Sequence, residues 1–292
     1  MTTSPASAPW RSMLFVPVTS ERFVARAHTR GADAVILDLE DAIAPGEKDQ
    51  ARAALPAAAR AIAAHGTDVV VRINRPLELA VPDIAAAVMP EVSALMLPKV
   101  MGPEHVRLLA EVVSARELAL GLPHGHTGFI AVVETAAALA HLNAIASADP
   151  RLRALGLGGE DLCAELESVP GGDSLYPFAM NAVAAARAAR ITPFGAVGKF
   201  ADFTDLEGYR QGLRRSRALG FACTACIHPS QVPVINEEYG VSEADADRAR
   251  RLLAAFEQAL AEGKGAVAFE GAMVDLPVAE RARALLARVR TR

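Results

Sequence analysis

Apolar positions along this chain gather into short continuous runs, not into strict alternation with polar ones. The runs are residues 12–17 (SMLFVP), 32–39, 68–73 (DVVVRI), 93–97 (SALML), 129–133 (FIAVV), 152–157, 196–200 and 223–227. Runs of this length, rich in β-branched residues and bounded by Gly or charge, predict strands buried on both faces. Between them the period lengthens to that of helices. A polar, Arg-bearing segment reaches Arg30, and helical patterns follow over residues 47–65, 104–118, 135–147, 175–190 and 206–219. Eight strands alternating with helices call for a parallel sheet, and eight such units close into a (β/α)8 TIM barrel. An open doubly wound sheet is the alternative. It usually carries a glycine fingerprint after its first strand, where this chain has Val16-Pro17-Val18-Thr19.

The pattern continues past the eighth strand. A helix over residues 243–262, a Gly-punctuated extended stretch (263–275) and a last helix opened by Pro277 exceed what closes a barrel. Residues 1–237 are therefore assigned to the barrel and 238–292 to a C-terminal helical extension that covers a neighbour or makes a subunit contact.

Composition narrows the function classes. The 292 residues are 52% hydrophobic and carry a net charge of −4, so no global field attracts nucleic acid or an anionic membrane. The start, MTTSPASAPWRS, has no charged segment followed by an apolar one, and nowhere do 18 apolar residues run together; a cytoplasmic protein is expected. Three cysteines make no disulfide framework. Cys223 and Cys226 resemble half a zinc site, but on a strand a spacing of three points them to opposite faces, so buried thiols are expected.

Chemistry concentrates at one end of the expected strands. Asp38, Glu40 and Asp41 follow the second, Arg72 and Asn74 the third, Lys99 the fourth, Glu134 the fifth, Glu160 and Asp161 the sixth, and His228 the eighth. Those are the carboxyl ends, where such barrels hold their active sites. Acids with a few bases suit a divalent cation and an anionic substrate. Glu134 and Asp161, from adjacent strands, match Mg²⁺, which takes one or two carboxylates and completes its octahedron with water and substrate oxygens. Helix capping is the alternative for each. Arg72 pairs with an anion: a substrate carboxylate, or Asp38 or Asp41 within the protein. Gly156-x-Gly158-Gly159 has the wrong spacing for a dinucleotide loop, and His124-x-His126 lacks a third metal ligand.

RSMLFVP (11–17), GADAVILDLEDAI (31–43), VRIN (71–74), LPKV (97–100), VVET (132–135), GGEDL (158–162), CIHPSQV (226–232) and MVDLP (273–277) occur in that order. Together they resemble the citrate lyase β-subunit-like family, relatives of malyl-CoA and citramalyl-CoA lyases and, more distantly, malate synthase. The resemblance implies a Mg²⁺ (or Mn²⁺) site on Glu134 and Asp161, with Arg72 facing the substrate oxygen. It implies that Asp275 acts as acid/base from a neighbouring subunit of a homotrimer or hexamer. Coenzyme A, as part of the substrate, would be met by Arg11, Arg22 and Arg26. The implied reaction is carbon–carbon cleavage of a β-hydroxyacyl-CoA to an acyl-CoA and a 2-keto acid, or the reverse condensation. A malyl-CoA-type thioesterase and a citrate lyase subunit served by an acyl carrier protein are the alternatives. Asp38, Glu40 and Asp41 are read as a supporting acidic shell that orients Arg72 and metal-bound water.

Overall fold

Along β2 (Ala34–Asp38) every residue is buried, because one face meets the barrel axis and the other lies under helices. Ala34 and Ile36 belong to the axial cluster, which also holds Met13, Val70, Ala94, Met96, Ile130, Val132, Ala154 and Phe194. Their strands are β1 (Ser12–Pro17), β3 (Asp68–Arg72), β4 (Val92–Leu97), β5 (Gly128–Val133), β6 (Leu152–Leu157) and β7 (Thr192–Phe194). Inward residues recur every second position, and the residues between them (Val35, Leu37, Val69, Val71, Leu95) are also fully buried. Burial on both faces explains why the strands read as unbroken apolar runs.

The structure is a computed structural model that describes residues 10–170, 173–198 and 202–289. Strands β1 to β7 pair in parallel in sequence order, and β8 (Thr224–Cys226) lies against β1. A parallel bridge between Phe194 and Cys223, with the Gly195 N–H donating to the Cys223 carbonyl at 2.8 Å, joins β7 to the approach of β8. The ring closes as a (β/α)8 TIM barrel.

Among the elements that differ from the sequence reading, three lie in the β–α units of the barrel. The seventh strand is Thr192–Phe194 and not residues 196–200, of which Lys199 and Phe200 lie outside the described residues. Pro193 disguised it, since proline has no N–H for a ladder; its carbonyl instead accepts from the Ala222 N–H. A helix over Leu77–Ala87 went unread because Pro76 and Pro82 look like breakers. Pro76 only precedes it, and Pro82 removes a single i→i−4 bond. The helix expected over 135–147 is two short ones, Ala136–Leu139 and Leu142–Ala146.

Trp10 closes the amino end of the barrel, its indole N–H donating to Asp68 at 2.6 Å. Nearby, buried Arg151 forks onto buried Glu117 at 2.8 and 2.7 Å. Glu117 also accepts from the Gly125 and Thr127 N–H groups, which fixes the loop bearing His124 and His126. All three cysteines are buried and free. Cys223 faces the axial cluster, and burial pushes the Cys226 thiol up to about 12, so neither is a ready thiolate at neutral pH.

Contacts divide the chain into Trp10–Asn236 and a second unit from Glu237 onward. In the second unit, helices Glu243–Ala261 and Leu276–Leu286 enclose Leu252, Phe256, Val274 and Ala279. The Gly-punctuated stretch is a hairpin, β9 (Val267–Phe269) with β10 (Ala272–Val274). Its two turn residues, Glu270 and Gly271, have φ of 49° and 81°, the left-handed pair that a tight hairpin needs. Among the described residues no helix is long and apolar enough to cross a membrane.

Candidate active site

The inward parity of each strand carries straight into the acids. Counting in twos from Ala34 and Ile36 reaches Asp38 and Glu40; from Val70, Arg72; from Ile130 and Val132, Glu134. These side chains therefore gather at the carboxyl-end mouth. On β6 the inward positions are Gly156 and Gly158, and their missing side chains leave room. A Cβ on Gly156 would strike the Phe194 carbonyl, and one on Gly158 would strike Glu134 Oε1.

Asp38 is fully committed. Arg72 forks onto it, Nε to Oδ1 at 2.7 Å and Nη2 to Oδ2 at 2.6 Å, while the N–H groups of Glu40 and Ala42 donate to the same two oxygens. The third arm of Arg72 reaches Glu40 Oε2 at 3.0 Å, close as a charge pair but too poorly aligned to be a hydrogen bond. The Phe15 ring lies 4.8 Å from the guanidinium carbon, a cation–π support. Behind this loop, Lys48 donates to the carbonyls of Leu39 and Glu40 at 2.7 and 2.6 Å. Asn74 bridges Leu39 to the buried Asp83. Asp83 is a brace that sequence reading missed, although a lone Asp inside LAVPDIAAA was a signal.

Lys99 stands among the acids. Its N–H donates to Glu134 Oε2 at 2.6 Å. Its ammonium bonds Glu40 Oε1 at 3.0 Å and lies 3.3 Å from Asp161 Oδ1 and 3.9 Å from Asp41 Oδ2. Burial alone would lower the ammonium pKa, yet the Glu40 bond and the charges of Glu40, Asp41 and Asp161 raise it. For Glu134, burial is the main cause that pushes its carboxyl up to about 7, helped by the Glu40 and Asp161 charges and opposed by the Lys99 N–H. Burial also raises Glu40, against the pull of Arg72 and Lys99.

Glu134 and Asp161 thus fit a hard divalent cation. They offer carboxylate oxygens only, and burial makes the Glu134 charge costly until a cation faces it. Among the described residues no three metal-ligating side chains gather as a closed cage. Two protein carboxylates with open positions is the supply that Mg²⁺ commonly uses. Because a Cβ at Gly158 would displace Glu134, Gly158→Ala should weaken Mn²⁺ binding by about tenfold or more, roughly 1.4 kcal/mol. Titration followed by electron paramagnetic resonance checks this; unchanged affinity would remove Glu134 from the site.

Beside these groups lies a cavity of about 410 Å³, lined by Arg72, Glu134 and Asp161 together with apolar Phe15, Met96 and Phe194. The other candidates have surroundings of their own. His228 is exposed and stacks on Phe203 at 4.6 Å. Arg22 and Arg26 are exposed on the helix Glu21–Ala27 that follows β1. Arg11 lies before β1, at the amino end, with Nε and Nη2 both 2.9 Å from Asp33. Asp275 directly follows β10 and caps the helix Leu276–Leu286, accepting from the Val278 N–H at 3.3 Å.

Comparison with known proteins places this arrangement. The profile of the HpcH/HpaI aldolase/citrate lyase family matches residues 11–229. The citrate lyase subunit beta of Leuconostoc mesenteroides subsp. cremoris is 33% identical over 283 residues, 94% of this chain and 92% of that protein. The L-malyl-CoA/β-methylmalyl-CoA lyase of Cereibacter sphaeroides is 32% identical over 306 residues, 97% of this chain and 95% of that one. Among solved structures, the Mycobacterium tuberculosis protein CitE in complex with magnesium, acetoacetate and coenzyme A superposes with a TM-score of 0.74. It is 33% identical and covers 97% of this chain and 98% of its own. With a matching profile over most of its length and relatives at this identity from end to end, the chain belongs to the HpcH/HpaI aldolase/citrate lyase family.

Proposed function

We propose that this protein is a Mg²⁺-dependent carbon–carbon lyase. It cleaves a β-hydroxyacyl-CoA of the malyl, β-methylmalyl or citramalyl type into an acyl-CoA and a small 2-keto acid, or runs the reverse condensation. The observation that carries this reading is the meeting of Glu134, Asp161 and Arg72 in the lining of one cavity. It is supported by a relative that is an L-malyl-CoA/β-methylmalyl-CoA lyase and a structural neighbour complexed with magnesium, acetoacetate and coenzyme A.

Glu134 and Asp161 would hold the cation. When bound, Mg²⁺ (or Mn²⁺) would supply Lewis-acid charge that lowers the pKa of the substrate hydroxyl. Arg72, kept in place by Asp38 and Phe15, donates to the substrate hydroxyl oxygen and stabilises it as the alkoxide that becomes the keto group. The bond's electrons pass into the thioester enolate, whose carbon is protonated by Asp275 of a neighbouring subunit. Arg22 and Arg26, exposed cations, meet the coenzyme A phosphates; Arg11, held by Asp33, would have to share its guanidinium with them.

Purified protein incubated with malyl-CoA and Mg²⁺ should release acetyl-CoA and glyoxylate. Free CoA with malate would instead identify a thioesterase. Turnover only with an acyl carrier protein would identify a citrate lyase subunit, a second reading favoured by the 33% identity to a citrate lyase subunit beta. Asp275 has its own test. Asp275→Asn and Glu134→Gln chains, each inactive, should regain part of the activity when mixed into one oligomer; none despite proven mixing would place Asp275 outside a shared site.

A further inference from the structure

Lys99 is bonded or ion-paired to acids from three different strand ends, Glu40 after β2, Glu134 after β5 and Asp161 after β6. Its backbone is also unusual, with φ of +48°. A non-glycine residue adopts that left-handed conformation at a cost, and such strain collects at functional sites where the surroundings hold it. Here the conformation follows Pro98 and accompanies the short N–H bond to Glu134.

We propose that Lys99 is a positioning residue with an opposing charge: its main chain holds Glu134 in place, while its ammonium competes with a divalent cation for Asp161. The inference rests on Glu134 and Asp161 being the metal ligands. A divalent ion drawn to that pair meets a resident positive charge 3.3 Å from Asp161 Oδ1. The two cations repel at a few ångströms in a half-buried setting, where such interactions amount to kilocalories. Affinity is thereby lowered below what the carboxylates alone would provide, which keeps the site exchangeable. Asp41 and Glu40, the other acids facing the ammonium, give it somewhere to remain when it leaves Asp161.

Three proteins test this, by Mn²⁺ titration with electron paramagnetic resonance and by calorimetry with Mg²⁺. Lys99→Gly removes the ammonium and adopts the left-handed backbone freely, so it retains the N–H bond to Glu134. It should bind Mn²⁺ about tenfold or more tightly than wild type at low salt, and the difference should shrink as salt screens it. Lys99→Arg keeps the charge and should stay within about threefold of wild type. Trp10, the only tryptophan in the chain, reports by fluorescence that each variant is folded. If wild type binds Mn²⁺ but Lys99→Gly binds it no more tightly, the inference about Lys99 is wrong and the metal assignment survives. If wild type binds no divalent ion, the metal assignment itself fails, and the role of Lys99 with it.

Discussion

Glu134→Gln is expected to cut turnover by about 10³ or more, some 4 kcal/mol of lost transition-state stabilisation, and to weaken Mg²⁺ binding by at least about 100-fold. The substitution keeps the shape of the side chain. An amide oxygen can still accept the 2.6 Å bond from the Lys99 N–H, so the variant should fold. What it loses is the charge of a hard ligand, and a divalent ion binds a neutral amide far more weakly than a carboxylate. The accompanying effect on stability runs the other way. Glu134 is buried and sits in the field of Glu40 and Asp161, so ionising it opposes folding unless a cation is present. In chelator, Glu134→Gln should be at least as stable as wild type; in excess Mg²⁺, wild type should be ahead, because only it gains from binding. Thermal melts with and without Mg²⁺ read both arms. A variant that keeps wild-type Mg²⁺ affinity would transfer the metal to other residues.

Arg72 should be the second large effect, with two parts that can be separated. Asp38 and Glu40 are almost wholly buried, and Arg72 is the cation both of them face. Arg72→Met leaves buried Asp38 without its cation, while Glu40 keeps Lys99, and the loss of that buried partner costs about 3–5 kcal/mol of stability, measured by urea unfolding. Arg72→Lys keeps the charge but not the fork, and it should still lower kcat by about 10³ by misplacing the donor that faces the developing negative charge. The double variant Arg72→Met with Asp38→Asn decides whether the role is only structural. Removing both charges should restore much of the stability and none of the turnover. Recovered turnover would mean that Arg72 merely neutralises Asp38.

Several features of the site are legible in the amino-acid sequence alone. The inward register follows from alternation: once the strands are located, Asp38, Arg72 and Glu134 continue the same face as Ile36, Val70 and Val132. Gly158 belongs to that face too, and its lack of a side chain is what admits Glu134. The seventh strand and the helix Leu77–Ala87 are not legible, because proline's local preference misleads where tertiary contacts overrule it. Pro193 gives its carbonyl to Ala222, and Pro82 lies in a helix whose Asp83 is held by Arg52 and Asn74.

By itself, then, the sequence determined the alternation of strands and helices that makes the barrel, where the acids lie along seven of its eight strands and which end of the barrel collects the chemistry. These follow from local periodicity and from the handedness of parallel β–α units, which act over tens of residues. Only the tertiary structure decided which acid is committed and which is open to a cation. Asp38, Glu40, Asp41, Glu134 and Asp161 are alike in type, and all follow buried strands. What separates them is which donor lies within about 3 Å, and the donors come from strands far away in the chain. Asp38 met the Arg72 fork, 34 residues distant, and is saturated. Glu134 met a single N–H from Lys99 and kept an oxygen facing Gly158. Lys99 reached Asp161 by its charge alone, from a left-handed backbone that no pattern in the sequence announced.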